Sequence, residues 1–201
     1  MFQPSRRSAV APFLVMDVMS AAAAKERQGA TVIHMEVGEP GAAAPSAVRA
    51  AAQRVLEQGR VGYTEALGMP ALRARIARHY ADWYGVDLDP GRVVVTTGSS
   101  GGFILCFLAA FDPGARVAIA APGYPAYRNS LQALGLEAVD LPTGRDSRYI
   151  VDADMIRRAH AARPLDGVLL MSPANPTGTM MLPDDLAAVA RTCHDLGIRF
   201  I

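Results

Sequence analysis

Lysine is nearly absent. The 201 residues carry 20 basic and 19 acidic side chains, yet the only lysine is Lys25 and the other basic residues are arginine. A mechanism that needs a lysine amine has one candidate in this sequence. Lys25 lies in the polar run Lys25-Glu26-Arg27-Gln28, where a solvated surface charge is the expected state. An excess of either charge is missing too. A net charge of +1 leaves no sequence-independent attraction to nucleic acid or to an anionic membrane surface. No stretch approaches the ~20 uninterrupted apolar residues that a bilayer-spanning helix needs. At the N-terminus, Arg6 and Arg7 precede only a short apolar stretch without a clear cleavage site, so no signal peptide is expected. The two cysteines, Cys106 and Cys193, sit in apolar, helix-like contexts that suit a reducing cytosol better than a disulfide scaffold. His34, His79, His160 and His194 follow no metal-ligand spacing. A cytoplasmic globular protein with no metal, membrane or nucleic-acid partner is the expectation.

Hydrophobic residues make up 51% of the chain against 19% charged, enough for a large core. A Met- and Ala-rich helix is expected at 13–28, stopped by Gly29, followed by an extended piece at 31–37 and a loop at Gly38-Glu39-Pro40-Gly41. A second helix at about 46–58 places Val48, Ala51, Ala52 and Val55 on one face, with Gly59 as its stop. A third runs from Pro70 to Tyr84, with Leu72, Ile76, Tyr80 and Trp83 on one side and Arg73, Arg75 and Arg78 mostly to solvent. From residue 92 short apolar runs at 92–97, 115–120, 136–141, 166–171 and 197–201 alternate with helical stretches near 101–111, 124–134, 152–162 and 183–196. That alternation, with runs apolar throughout, predicts an α/β domain whose mainly parallel sheet is covered on both faces. Asp184 and Asp185, like Asp152 and Asp154, open helices where carboxylates favour the positive dipole end. Arg157 and Arg158 fall on a solvated face. The final run stops with the chain at Ile201, which suggests the first part of a longer protein.

Three strand-to-helix connections carry chemistry. Thr96-Thr97-Gly98-Ser99-Ser100-Gly101-Gly102 opens a helix, so its amides and hydroxyls could converge on a phosphate, or Ser could serve as a cap in a tight turn. It matches neither G-x-G-x-x-G nor G-x-x-x-x-G-K-[ST], so a dinucleotide fold and a P-loop are unsupported. In Ala121-Pro122-Gly123-Tyr124-Pro125, the tyrosine could stack on a flat ring or cover the helix that follows. In Ser172-Pro173-Ala174-Asn175-Pro176-Thr177-Gly178, Asn175 is held at the carboxyl edge of the sheet. Its amide could donate to a ring oxygen or a carboxylate, or simply form a turn.

Together with the Gly38-Glu39-Pro40 loop, Gly62-Tyr63-Thr64 and Gly68-Met69-Pro70-Ala71-Leu72-Arg73, these connections resemble the class I and II aminotransferases of pyridoxal-phosphate fold type I. The resemblance covers roughly residues 30 to 201. It implies an α/β/α large domain with a mainly parallel sheet, incomplete at its C-terminus. Residues 1–40 would form the N-terminal arm and part of the small domain, and 41–201 the N-terminal portion of the cofactor-binding large domain. By the same resemblance Ser99, Ser100 and Gly101 cradle the phosphate of pyridoxal 5'-phosphate, Tyr124 stacks on its ring and Asn175 binds its phenolic oxygen. Tyr63 would reach the phosphate of the cofactor in the other subunit of a homodimer, and Gly38 would lie near the substrate carboxylate.

The implied reaction moves an amino group between an amino acid and a 2-oxo acid, as part of amino acid metabolism. The family's aspartate on the pyridine nitrogen, its Schiff-base lysine and its carboxylate-binding arginine would fall after Ile201, and no catalytic residue is assigned within the chain. The strand at 92–97 would lose its neighbours, leaving the other four as a contiguous sheet and the chain marginal alone. The alternatives are a non-catalytic or split-gene binding module of the same fold, or another fold type I chemistry such as a lyase or decarboxylase. A transcription regulator on this fold needs a basic winged-helix segment, which is missing.

Overall fold

The computed structural model of the chain describes residues 3–59 and 61–201. The chain divides into two compact units, Leu14–Thr97 and, separately, Met1–Phe13 with Gly98–Ile201.

The first unit holds helices α1 (Leu14–Arg27), α2 (Ser46–Glu57) and α3 (Pro70–Tyr84). Punctuation residues set their ends. Pro70 occupies the first turn of α3, and Gly85 at φ +64° returns its N–H to the Tyr80 and Ala81 carbonyls. The apolar faces expected on these helices exist but are largely uncovered: Val48, Val55 and Leu72 are exposed, and Trp83 is 73% exposed. Residues 31–37 join no strand. Arg73, expected in solvent, instead donates from Nε to the Val93 carbonyl and from a terminal nitrogen to the Pro90 carbonyl, both at 2.8 Å.

The Val93 carbonyl is available because 92–97 is not a strand, contrary to its composition. Pro90–Arg92 is a single 3-10 turn capped by Asp89, and the segment after it joins no sheet among the described residues. Three consecutive valines favour a pleated strand only when another strand offers partners. Within the segment the Val95 N–H donates to the Leu67 carbonyl, at 3.0 Å. At that crossing Gly68 has φ +98°, and a Cβ there would lie 2.6 Å from Val95 Cβ, so only glycine fits.

The second unit is the α/β body. After α4 (Gly98–Ala110) come β1 (Arg116–Ala121), α5 (Pro125–Ala133), β2 (Glu137–Pro142), α6 (Ala153–Ala162), β3 (Gly167–Leu169), α7 (Pro183–Asp195) and β4 (Arg199–Phe200). The four strands are parallel in the order β2-β1-β3-β4, the contiguous sheet expected of them. Alternate residues feed two cores. Val117 and Ile119 join Phe107, Phe111, Leu131 and Leu169 on the α4/α5 face. Ala118 and Val168 join Ile156, Val189, Cys193 and Ile198 on the α6/α7 face. The body is therefore an α/β/α sandwich.

At the amino edge of the sheet, Arg116 ties the strands together. Its Nε donates to Glu137 at 3.0 Å, its guanidinium to the Arg163 and Pro164 carbonyls at 2.6 and 2.7 Å, and its N–H to Asp166 at 2.7 Å. Arg157, expected on a solvated face, bridges α6 to α7: it donates to Asp154 at 2.7 Å and to the hydroxyl of buried Thr192 at 2.8 Å. Asp152 caps α6 by accepting the Met155 N–H at 2.7 Å, as its position suggested. Asp184 and Asp185 lie in the first turn of α7 but make no side-chain cap; they complement the helix dipole, and Asp185 also lies 3.9 Å from the Arg148 guanidinium. Both cysteines are free. Cys193 is buried, which pushes its thiol pKa up, and Cys106 is exposed.

An exposed ionic clamp joins α1 to the segment that follows it. His34 Nδ1 lies 2.6 Å from Glu36 Oε1 and its Nε2 lies 3.0 Å from Glu26 Oε1. Hydrogen bonds to Glu26 first, then Glu36, raise the His34 pKa to about 9, and the same contact lowers that of Glu36. An unfolded histidine titrates near ~6.5. While Glu26 and Glu36 stay ionised, the clamp's stabilising effect is therefore complete below that value, declines as pH rises, and is gone once pH passes about 9; in acid it is lost again as the carboxylates protonate. In an NMR titration the His34 ring should lose its proton near pH 9, and in the double variant Glu26→Gln, Glu36→Gln near ~6.5. A midpoint near ~6.5 in the parent protein would refute the clamp.

Candidate active site

Adjacent parallel strands end at the same edge, and here that edge carries the informative loops. β1 pairs with β3 through Val117–Gly167, Ala118–Val168 and Ile119–Leu169, so the turns after Ala121 and Leu169 emerge side by side. Between them lies a cleft enclosing about 500 Å³ of empty space, its open mouth included. Gly123, Tyr124 and Tyr127 line one side, and Tyr149, Asn175 and Thr179 contribute to the rest.

Tyr124 stands at the cap of α5 in a stack of perpendicular rings. Its ring meets Phe13 edge-on at 6.3 Å and Tyr127 at 5.3 Å, and Tyr127 in turn meets Phe103 of α4 at 4.8 Å. Such edge-to-face contacts fix ring orientation beyond what burial does. Tyr127 is buried, which raises its phenol pKa, and its hydroxyl points at Met171 Sδ, 3.7 Å away. Gly123 precedes this pair because nothing larger fits: a Cβ there would lie 2.3 Å from the Ala120 carbonyl oxygen.

Asn175 sits on a loop braced across its base. Ser172 Oγ accepts the Met181 N–H at 2.9 Å, the Thr179 carbonyl accepts the Ala174 N–H at 2.8 Å, and the Ala174 carbonyl accepts the Gly178 N–H at 2.7 Å. Gly178 takes φ +69° to close this turn. The Asn175 amide and the Tyr124 hydroxyl make no hydrogen bond among the described residues, although the backbone around each is tightly tied. The structure thus brings Tyr124 and Asn175 into one cleft.

Ser99, Ser100 and Gly101 form the first turn of α4, where a helix offers its own amides no carbonyl partner. Both serines are exposed and neither hydroxyl is hydrogen-bonded among the described residues. They do not line the cleft. Standing four and three residues before Phe103, they share its helix face, and Phe103 reaches Tyr124 through Tyr127. Gly38 and Tyr63 belong to the other compact unit, Gly38 in a loop with open space around it and Tyr63 with a fully exposed ring.

Sequence reasoning passed over Tyr149. It lines the cleft from a loop whose only signal was the turn-forming string Gly144-Arg145-Asp146-Ser147. Among the described residues no group of three or more His, Cys, Asp or Glu could hold a metal ion.

Replacing Gly123 tests how closely the turn is fitted. Gly123→Ala must push backbone against backbone, so it should destabilise the protein by about 1–3 kcal/mol in urea denaturation. A loss below ~0.5 kcal/mol would show that the turn has slack.

Three comparisons bear on this arrangement. Residues 30–201 match the family model for aminotransferase class I and II. The valine–pyruvate aminotransferase of Mycobacterium tuberculosis is 49% identical over 195 residues, covering 97% of this chain and 50% of that protein. The aspartate/prephenate aminotransferase of Thermus thermophilus is 31% identical over 194 residues, covering 95% and 50%. Among solved structures, an aminotransferase from Mycobacterium tuberculosis superposes with a TM-score of 0.92 at 48% identity, over the whole of this chain and 51% of that one. The chain spans about half the length of the curated relatives it matches. Its α/β body has the fold of these enzymes, and the chain belongs to the aminotransferase class I and II family.

Proposed function

We propose that these residues form the cofactor-binding part of a pyridoxal 5'-phosphate-dependent aminotransferase that exchanges an amino group between an amino acid and a 2-oxo acid. The observation that carries this reading is the joint presence of Tyr124 and Asn175, their polar ends without a hydrogen bond among the described residues, in one cleft at the carboxyl edge of two paired strands. A flat, partly anionic ring fits that donor set. The phenol ring of Tyr124 offers a face for stacking, and the Asn175 amide offers N–H groups to a ring oxygen. The first turn of α4 suits the phosphate, with the Ser99 and Ser100 hydroxyls, which have no hydrogen bond among the described residues, at the positive end of a helix dipole. Pyridoxal 5'-phosphate held by these residues would supply an electron sink for the substrate α-carbon.

The chain's own residues bind and orient. Tyr124 and Asn175 hold the ring in register, Ser99, Ser100 and Gly101 hold the phosphate, and Gly38 lies beside the substrate carboxylate. Tyr63 reaches the cofactor phosphate of the second subunit in a homodimer. Residues 1–40 are assigned to the arm and part of the small domain, and 41–201 to the large domain. The amine that moves the α-proton is assigned to polypeptide other than these 201 residues, since their only lysine is Lys25 of α1. The relatives' names, valine–pyruvate and aspartate/prephenate aminotransferase, support an amino acid and a 2-oxo acid as the substrate pair. We place the enzyme in cytoplasmic amino acid metabolism.

Pyridoxamine 5'-phosphate, which forms no bond with lysine, isolates the binding step. Titrated by fluorescence into the full-length protein, it should bind. Tyr124→Ala and Asn175→Ala should each weaken it about tenfold or more, while Arg163→Ala at the opposite sheet edge leaves it unchanged. Binding indifferent to all three substitutions would overturn the assignment.

A further inference from the structure

Two consecutive residues beside the cleft, neither a glycine, adopt left-handed backbone: Arg148 at φ +53° and Tyr149 at φ +56°. L-residues with branched or bulky side chains avoid this region, so a tyrosine that occupies it is held there by its surroundings. The holding contacts are visible. The Gly144 carbonyl accepts the Tyr149 N–H at 2.8 Å, the Ser147 carbonyl accepts the Ile150 N–H at 3.0 Å, and Ser147 Oγ accepts the Gly144 N–H at 3.1 Å. Immediately after, Val151 is buried in the α6/α7 core. A glycine at 149 would meet the same backbone demand without strain. What tyrosine adds is a ring in the cleft wall beside Ala174, Asn175 and Thr179.

We propose that Tyr149 is a positioning residue for Asn175. The inference rests on the functional reading above and extends it to a residue outside the ligand-binding set. The connection is continuous. The Tyr149 carbonyl accepts the Thr179 hydroxyl at 3.4 Å, and that hydroxyl lies 2.8 Å from the hydroxyl of Thr177. The carbonyl of Thr179 accepts the Ala174 N–H, and Ala174 directly precedes Asn175. On this inference the Tyr149 side chain supports the wall and its carbonyl anchors the loop, which limits the orientations open to the Asn175 amide.

Pyridoxamine 5'-phosphate titration of the full-length protein tests this. Tyr149→Gly, which keeps the backbone conformation and removes the ring, should weaken binding about fivefold to tenfold. Tyr149→Phe should restore it to within about twofold, and Thr179→Val, which leaves Tyr149 in place, should weaken it by at least about twofold. In an Asn175→Ala background the effect of Tyr149→Gly should vanish, because a residue acting through Asn175 has nothing left to position. Parent-like binding by Tyr149→Gly or by Thr179→Val overturns the inference, as does an effect that persists undiminished without Asn175. If Asn175→Ala itself binds normally, the functional reading falls and this inference falls with it. If Asn175→Ala is impaired and Tyr149→Gly is not, only this inference falls.

Discussion

The pairing of β1 with β3 is the constraint on which the rest depends. These two strands lie far apart in sequence, separated by α5, β2 and α6, and their register brings the turn after Ala121 beside the loop after Leu169. A slip of one residue would exchange the two faces of β3, driving Val168 out of the core it shares with Ile156 and Val189. Gly167 reinforces the register, since a Cβ there would lie 2.3 Å from the ring of Phe111. The relation between Tyr124 and Asn175 is thus a consequence of core packing some distance below them.

The two edges of the sheet are built on different terms. At the amino edge, Arg116 spends its guanidinium and its N–H on Glu137, Arg163, Pro164 and Asp166, and the polar groups there serve to close the fold. At the carboxyl edge the backbone is equally well tied, but the Tyr124 hydroxyl, the Asn175 amide and the hydroxyls of Ser99 and Ser100 have no hydrogen-bond partner among the described residues. A rigid frame presenting uncommitted donors is the arrangement that ligand binding needs, because little ordering remains to be done on association.

Much of this was legible in the residues, for identifiable reasons. α3 runs from Pro70 to Tyr84 as read, since proline at a helix start and glycine after its end are strong local signals. The later strands were legible because runs apolar throughout mark a doubly covered parallel sheet. Valines 93–95 misled, because their preference for strand is realised only against a neighbour and the segment joins no sheet among the described residues. Arg73 was misread as solvated, and Arg157, exposed as expected, also reaches a buried hydroxyl, since periodicity assigns a face but not the backbone carbonyl or hydroxyl that a long side chain can reach. Tyr149 was invisible: left-handed backbone at a tyrosine has no sequence signature. Tyr124 and Asn175 were found through short proline- and glycine-flanked strings, and their meeting in one cleft became visible only with the topology.

Amide-resolved NMR tests the central claim most directly. When pyridoxal 5'-phosphate is added to the protein, resonances of residues 99–101, 123–124, 174–175 and 177–179 should shift together, and those of Arg116, Glu137 and Asp166 at the far edge should stay still. Shifts confined to the far edge, or scattered without the Tyr124 and Asn175 loops, would contradict the account.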